Sequence, residues 1–267
     1  MDLFYILLGI LQGFVEWLPI SSKTVLLLFS SYVLGYSLAS SYTLSLALQA
    51  GTVASALSYF WRNVVRVFRE RWLLRFLIIS TIATGVVGVP LYMISERILR
   101  GSFELEIPTM IIGLILVIQA FISMKTRSWM GRSEKYKDPR SIGFRESLLF
   151  GVVQGIAALP GVSRSGATVT TLLLLGYSLE DSMRLSFIAS IVANSGALAT
   201  VYLFSEGSQV LHDIQSIIAA FLVSAVVGFL TIGALLRLAA RYRSYMTLAM
   251  GLITIAIALI ISLHRFL

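Results

Sequence analysis

Two long stretches of this chain carry almost no charge, and in each the few charges sit at a break in an otherwise apolar run. From Leu3 to Trp61 only Glu16 and Lys23 are charged, and between Glu146 and Glu180 only Arg164 is. The chain is 57% hydrophobic and 13% charged, with a mean hydropathy of +0.88, which belongs to a polytopic helical membrane protein. In lipid every backbone N–H and C=O needs a partner within the protein, so crossing segments are helices. Irregular backbone at depth is tolerated only where protein covers it or a polar cavity lies beside it. The breaks at Pro19 and at Pro160–Gly166 therefore mark the expected site.

The second break reads GVVQGIAALPGVSRSGAT from Gly151 to Thr168. A guanidinium at membrane depth is costly unless it is paired or faces a cavity, so Arg164 is a functional residue by default. Its planar donor fork suits a phosphate oxyanion. Ser163, Ser165 and Thr168 add hydroxyls, while Gly161 and Gly166 let backbone N–H groups approach a ligand. The stretch reads as an anion cradle for phosphate. The first break, GILQGFVEWLPISSKT from Gly9 to Thr24, repeats Gly-x-x-Gln-Gly followed by Leu-Pro and hydroxyls. It offers a carboxylate where the second offers a guanidinium, so an internal repeat with complementary tips is expected.

Glu16 is the one carboxylate deep in an apolar run. Beside Arg164, Lys23 or a divalent cation it is an ionised base or metal ligand; the alternative is a helix-end glutamate at the lipid headgroups. Gln12 lies four residues before it on the same helix face. Gln12 and Gln154 either hydrogen-bond a ligand or act as polar glue between helices. Ser21 and Ser22 offer a nucleophile if a base reaches one of them, and also the residues of a helix N-cap. Lys23 binds phosphate or snorkels to the interface. Gln49, Gly51 and Ser186, on the spans after each break, line the site or serve ordinary packing, and Arg184 reads as a helix-end charge.

Fifteen of the 21 Lys and Arg residues fall in three segments: Arg62–Arg75, Lys125–Arg145 and Arg237–Arg243. Positive-inside topology explains them without a nucleic-acid partner. With those segments cytoplasmic, spans are expected at 42–61, 76–95, 107–124, 185–205, 214–236 and 244–263. The first broken pair then enters from outside and the second from inside. The expected fold is an all-α integral membrane protein, an inverted repeat of six spans and two re-entrant pairs whose site lies where the halves meet. Residues 1–124 form the first half, 125–145 a basic connecting loop and 146–267 the second half. The absence of cysteine excludes disulfides and thiolate chemistry, and His212 and His264 lack a second histidine at ligand spacing. No cleavage pattern of a removable signal peptide follows the N-terminus.

The motifs resemble those of the bacitracin-resistance family of undecaprenyl-diphosphate phosphatases. One motif of that family resembles Gly9, Gln12, Gly13, Glu16, Trp17, Leu18, Pro19, Ile20, Ser21 and Ser22; the other resembles Pro160, Gly161, Ser163, Arg164, Ser165, Gly166 and Thr168. Gln49-x-Gly51 and Arg184-x-Ser186-Phe187 are weaker matches, so the resemblance extends over most of the chain. It implies hydrolysis of a polyprenyl diphosphate lipid in the plasma membrane with Mg2+ or Ca2+, and a homodimer is the candidate assembly. It also implies Ser22 as nucleophile, Glu16 as base or metal ligand, Arg164 as phosphate clamp, and Ser163 and Thr168 as its support. The family usually follows its paired serines with Thr-Gly-His; here stand Lys23, Thr24 and Val25. The missing histidine keeps a second reading open, a transporter or flippase of polyprenyl phosphate. Val192 likewise replaces a usual proline.

Overall fold

A computed structural model describes residues 3–18, 20–101, 106–130, 136–204 and 214–266. Pro19, Glu104, Arg132, Lys135, Glu206, His212 and Asp213, and the side chain of His264, lie outside the described residues. The first broken pair is α1 (Leu3–Val15) and α2 (Ser22–Tyr32), followed by α3 (Leu38–Tyr59), α4 (Trp61–Arg69), α5 (Arg71–Gly101) and α6 (Glu106–Met130). The second pair is α7 (Phe144–Ile156) and α8 (Arg164–Leu174), followed by α9 (Leu179–Phe204) and α10 (Ile214–Phe266). The described residues contain no strand.

Among the described residues five segments are long and apolar enough to cross a membrane: Arg71–Gly101, Glu106–Thr126, Leu179–Phe204, Gln215–Leu238 and Ser244–Leu263. The expected span at 42–61 corresponds to α3, which is 22 residues long but is not among those five. Every residue from Ser41 to Thr52 is buried. Protein rather than lipid surrounds this helix, so its composition is free to include Ser, Thr and Gln. The molecule is polar inside and apolar outside, as lipid demands. Gln12, Lys23 and Gln49 are buried, whereas Val86, Leu230 and Ile260 are 70%, 75% and 66% exposed.

Glycines set the closest packing. A Cβ at Gly9 would meet Ala220 backbone at 2.5 Å, and one at Gly13 would meet Ser224 and Gly228 backbone at 2.7 and 2.9 Å. A Cβ at Gly151 would meet Ser80 at 2.4 Å, and one at Gly155 would meet Thr84 and Gly88 at 3.0 and 3.1 Å. Each pair's first helix thus lies backbone to backbone on a long helix of the other half, using the same Gly-x-x-x-Gly spacing. Gly51 likewise packs on Ser224 and Phe221, which makes it a packing residue.

The registers of these contacts fix direction. Residue numbers rise together along α1 and the first half of α10, along α3 and that same half (Gly51 with Phe221, Tyr59 with Gly233), and along α7 and α5. Helices α3 and α5 are antiparallel, since Tyr42 near the start of one stacks on Tyr92 near the end of the other, 5.6 Å between ring centroids. Helix α1 therefore runs opposite to α7, and the two broken pairs enter from opposite ends.

The second half of α10 packs antiparallel on α6, with Ser244 donating to Ser123 at 3.0 Å and Gly251 against Val117. Helix α6 begins beside the start of α3, where Ile112 and Leu116 share a core with Leu38 and Tyr42. The chain therefore reverses within α10, and the basic segment expected as a loop there stays in helical conformation. The described residues of all three basic segments fall at the end of the molecule toward which α3 runs.

Candidate active site

Each break restarts its helix with a serine. Ser21 caps α2, its side chain accepting from the Thr24 backbone N–H at 3.4 Å. Ser163 caps α8, accepting from the Gly166 N–H at 3.3 Å. Such a cap stabilises a helix start by about 1 kcal/mol. The capping role anticipated for the first serine pair thus falls to Ser21, and Ser22 is left free at the first position of α2. In the second break Gly161 has φ +88°, and a Cβ there would lie 2.9 Å from the Ile112 carbonyl. Only glycine turns the chain there without strain.

The two tips meet on Glu16. Arg164 Nη2 donates to its Oε1 at 2.6 Å, and Asn194 Nδ2 donates to the same oxygen at 3.1 Å. Gln12 Nε2 donates to Oε2 at 3.0 Å and Ser22 Oγ to Oε2 at 2.7 Å. A carboxylate 5% exposed is thereby held by a cation and three neutral donors, the condition under which a buried charge is tolerated. The alternative of a glutamate among lipid headgroups is set aside by this burial. Lys23, 4% exposed, does not snorkel: its Nζ donates to the carbonyl oxygens of Ala157 and Leu159, just past the end of α7.

A cavity of about 230 Å³ opens over this cluster, lined by Glu16, Ser21, Ser22, Lys23, Gln49, Gln154, Ser163, Arg164 and Ser165 among others. Gln154 donates to Thr84 Oγ1 at 3.0 Å. Gln12, Gly166 and Thr168 do not line the cavity. Gln12 stands behind Glu16, and Thr168 bonds the Arg164 carbonyl at 2.8 Å and Ser186 Oγ at 2.7 Å, supporting the arginine from beneath. Small residues of α5 and α9, including Gly85, Gly88, Ala193 and Gly196, extend the cavity as an apolar arm.

Two residues outside the motifs complete the cluster. Asn194 of α9 reaches Glu16, and Gln119 of α6 brackets Ser163: Nε2 donates to its carbonyl at 2.8 Å and Oε1 accepts from its N–H at 2.9 Å. Both are lone amides inside long apolar spans, the signal by which they were findable. At the basic end Glu146, in the first turn of α7, accepts from Lys137 at 2.8 Å and Tyr177 at 2.6 Å. Burial raises its carboxyl, but these bonds outweigh it and hold it below the ordinary range.

Glu16 is the only carboxylate lining the cavity, and no three His, Cys, Asp or Glu side chains cluster among the described residues. Gln12 Oε1 and Gln154 Oε1 are buried without a partner. Glu16 with the one such amide oxygen on the cavity wall, that of Gln154, fits a hard cation that takes most of its ligands from water and phosphate oxygens.

A family model described as "Bacitracin resistance protein BacA" matches residues 5–261. The chain is similar to proteins named "Undecaprenyl-diphosphatase". It is 42% identical over 245 residues to one of Saccharolobus islandicus (strain Y.N.15.51 / Yellowstone #2), which is 90% of each chain. To that of Sulfurisphaera tokodaii it is 41% identical over 244 residues, 90% of each. To that of Pyrobaculum aerophilum it is 36% identical over 259 residues, 94% of each.

Proposed function

Since the chain belongs to the Bacitracin resistance protein BacA family, we propose that it hydrolyses an undecaprenyl-type polyprenyl diphosphate to polyprenyl phosphate and inorganic phosphate, recycling the carrier lipid. It is a multi-pass membrane hydrolase, and its working location under this reading is the plasma membrane. The observation that carries the reaction is the contact of Ser22 Oγ with Glu16 Oε2 at 2.7 Å, on the carboxylate whose other oxygen holds Arg164. A hydroxyl on a carboxylate with a guanidinium beside it is a nucleophile, a base and an oxyanion clamp within reach of one phosphoryl group.

The terminal phosphate docks on Arg164, whose buried Nη1 is without a partner. Glu16 takes the Ser22 proton as Oγ bonds to phosphorus, and the bond from phosphorus to the bridging oxygen breaks. Prenyl monophosphate leaves with that electron pair and takes the proton from Glu16; water then attacks the phosphoserine and gives a proton to Glu16, the bond from phosphorus to Oγ breaks, Oγ recovers its proton from Glu16, and inorganic phosphate leaves. Gln49, Gln154, Ser163 and Ser165 line the path of the phosphates, while Ser21 keeps the Ser22 turn in place. Thr168 and Gly166 support Arg164 and its turn rather than the substrate. A Mg2+ or Ca2+ ion would be held by Glu16 and the Gln154 amide oxygen together with diphosphate oxygens, and would supply charge neutralisation there. Gln119 keeps the arginine turn aimed. The transporter reading gains no support from the names of the relatives and has no need of a serine set on a carboxylate.

The test is phosphate release from a long-chain polyprenyl diphosphate by the purified protein in detergent, with and without chelator. Release that falls on chelation and is lost in Glu16→Gln and Arg164→Ala is the expected result. A folded protein that binds the lipid and releases no phosphate would overturn the reading.

A further inference from the structure

The cavity wall holds more positive than negative charge. Arg164 and Lys23 both line it, each nearly buried, and Glu16 is the single carboxylate. That carboxylate is bonded to Arg164, whereas Lys23 has no acidic partner among the ion pairs of the described residues. Two backbone carbonyls of the opposite pair hold its ammonium. An ammonium has three donors, so one remains for a ligand. A buried amine with a donor left over in this way suits an anion.

We infer, resting on the phosphatase reading, that Lys23 and Arg164 divide the diphosphate between them. Arg164 holds the phosphoryl group transferred to Ser22, and Lys23 holds the inner phosphate that departs with the lipid. The placement of the two cations supports this division. Arg164 shares Glu16 with Ser22, and so stands at the attacked phosphorus. Lys23 is tied to Ala157 and Leu159, which flank Ala158; the Ala158 Cβ lies 3.9 Å from the position of a Cβ on Gly88, in the apolar arm along α5. The phosphate that carries the prenyl chain belongs on that side. As the bridging bond breaks, the new charge on the leaving phosphate develops beside a cation already in place. This is charge stabilisation of the leaving group by a preorganised donor.

Binding of the two products separates the cations without requiring turnover. Calorimetry with purified protein in detergent would use inorganic phosphate and a polyprenyl monophosphate as separate probes. Lys23→Met should weaken the lipid monophosphate at least about tenfold and leave inorganic phosphate nearly unchanged; Arg164→Lys should do the reverse. Lys23→Arg should recover most of the lipid monophosphate affinity. Equal affinities for both products in Lys23→Met and wild type would overturn the assignment, as would a lowered melting temperature with both affinities intact, which would leave Lys23 a cap on α7. Wild-type protein that hydrolyses the diphosphate but shows no loss in Lys23→Met sinks this assignment alone. Wild-type protein that binds neither product and releases no phosphate sinks the phosphatase reading, and the assignment with it.

Discussion

The two broken pairs are built alike and armed differently. Both lay a Gly-x-x-x-Gly face on a long helix of the other half, both carry Leu-Pro at the break, and both restart with a serine cap. The first tip then presents Glu16, Ser22 and Lys23; the second presents Arg164 on a turn held by Gln119. Neither Glu16 nor Arg164 is tolerable alone at this depth, since an unpaired buried charge costs several kcal/mol. The repeat supplies the scaffold, and the opposite signs at its tips supply both the cohesion of the halves and the chemistry.

The comparison breaks most severely if the ion pair is cut. Arg164→Ala is expected to abolish phosphate release and to destabilise the protein by about 3–5 kcal/mol, because Glu16 is then left buried and uncompensated. Adding Glu16→Gln to Arg164→Ala should restore part of the stability and none of the activity. A double-mutant cycle from melting in detergent checks this: additive single effects would mean that the tips are not coupled.

The paired serines sharpen it next. Ser22→Ala is expected to lower turnover by about 10³-fold or more, as for loss of a reacting group, and to cost about 1–2 kcal/mol of stability for the missing bond to Glu16. Ser21→Ala should cost about 1 kcal/mol of stability, a cap's worth, and much less activity. Equal effects on both would show that the hydroxyls are interchangeable.

Gln119→Ala should reduce turnover about tenfold through a mispositioned Arg164, with a smaller change in KM for the lipid; Gln119→Glu, which keeps the acceptor, should fall between. At the basic end Glu146→Gln is expected to cost about 1 kcal/mol or less, given partial exposure. The carboxyl of Glu146 is held below its ordinary range, so its contribution is present at neutral pH and fades as the pH falls through that lowered value. Melting curves of both proteins should therefore converge in acid. Smallest of all is Val25→His, which restores the histidine usual in the family. Val25 does not line the cavity, so turnover should change by no more than roughly twofold.

Much of the fold was legible because lipid makes composition speak. Charge-free runs, three basic segments and a repeated Gly-x-x-Gln-Gly-to-Leu-Pro pattern were enough for the opposed pairs and the contact of their tips. Helix α3, expected as a span from its length and lack of charge, falls outside the five most apolar segments, since a helix sheathed in protein need not be apolar. The basic segment Arg237–Arg243 marked the reversal within α10 but not its helical backbone: basic residues mark an end of the molecule, not whether the chain there is helical.

The sequence by itself determined that Glu16, Ser22, Lys23 and Arg164 had to find partners, because lone ionisable groups in apolar runs have no other way to persist. Which partners they found was a tertiary matter. That Arg164 takes Glu16, that Lys23 takes two carbonyls of the opposite pair, and that Asn194 and Gln119 complete the cluster depends on helices far apart in the chain meeting at one depth. Those distances are set by glycine-faced packing between the halves, and spacing along one chain does not encode a contact made across two.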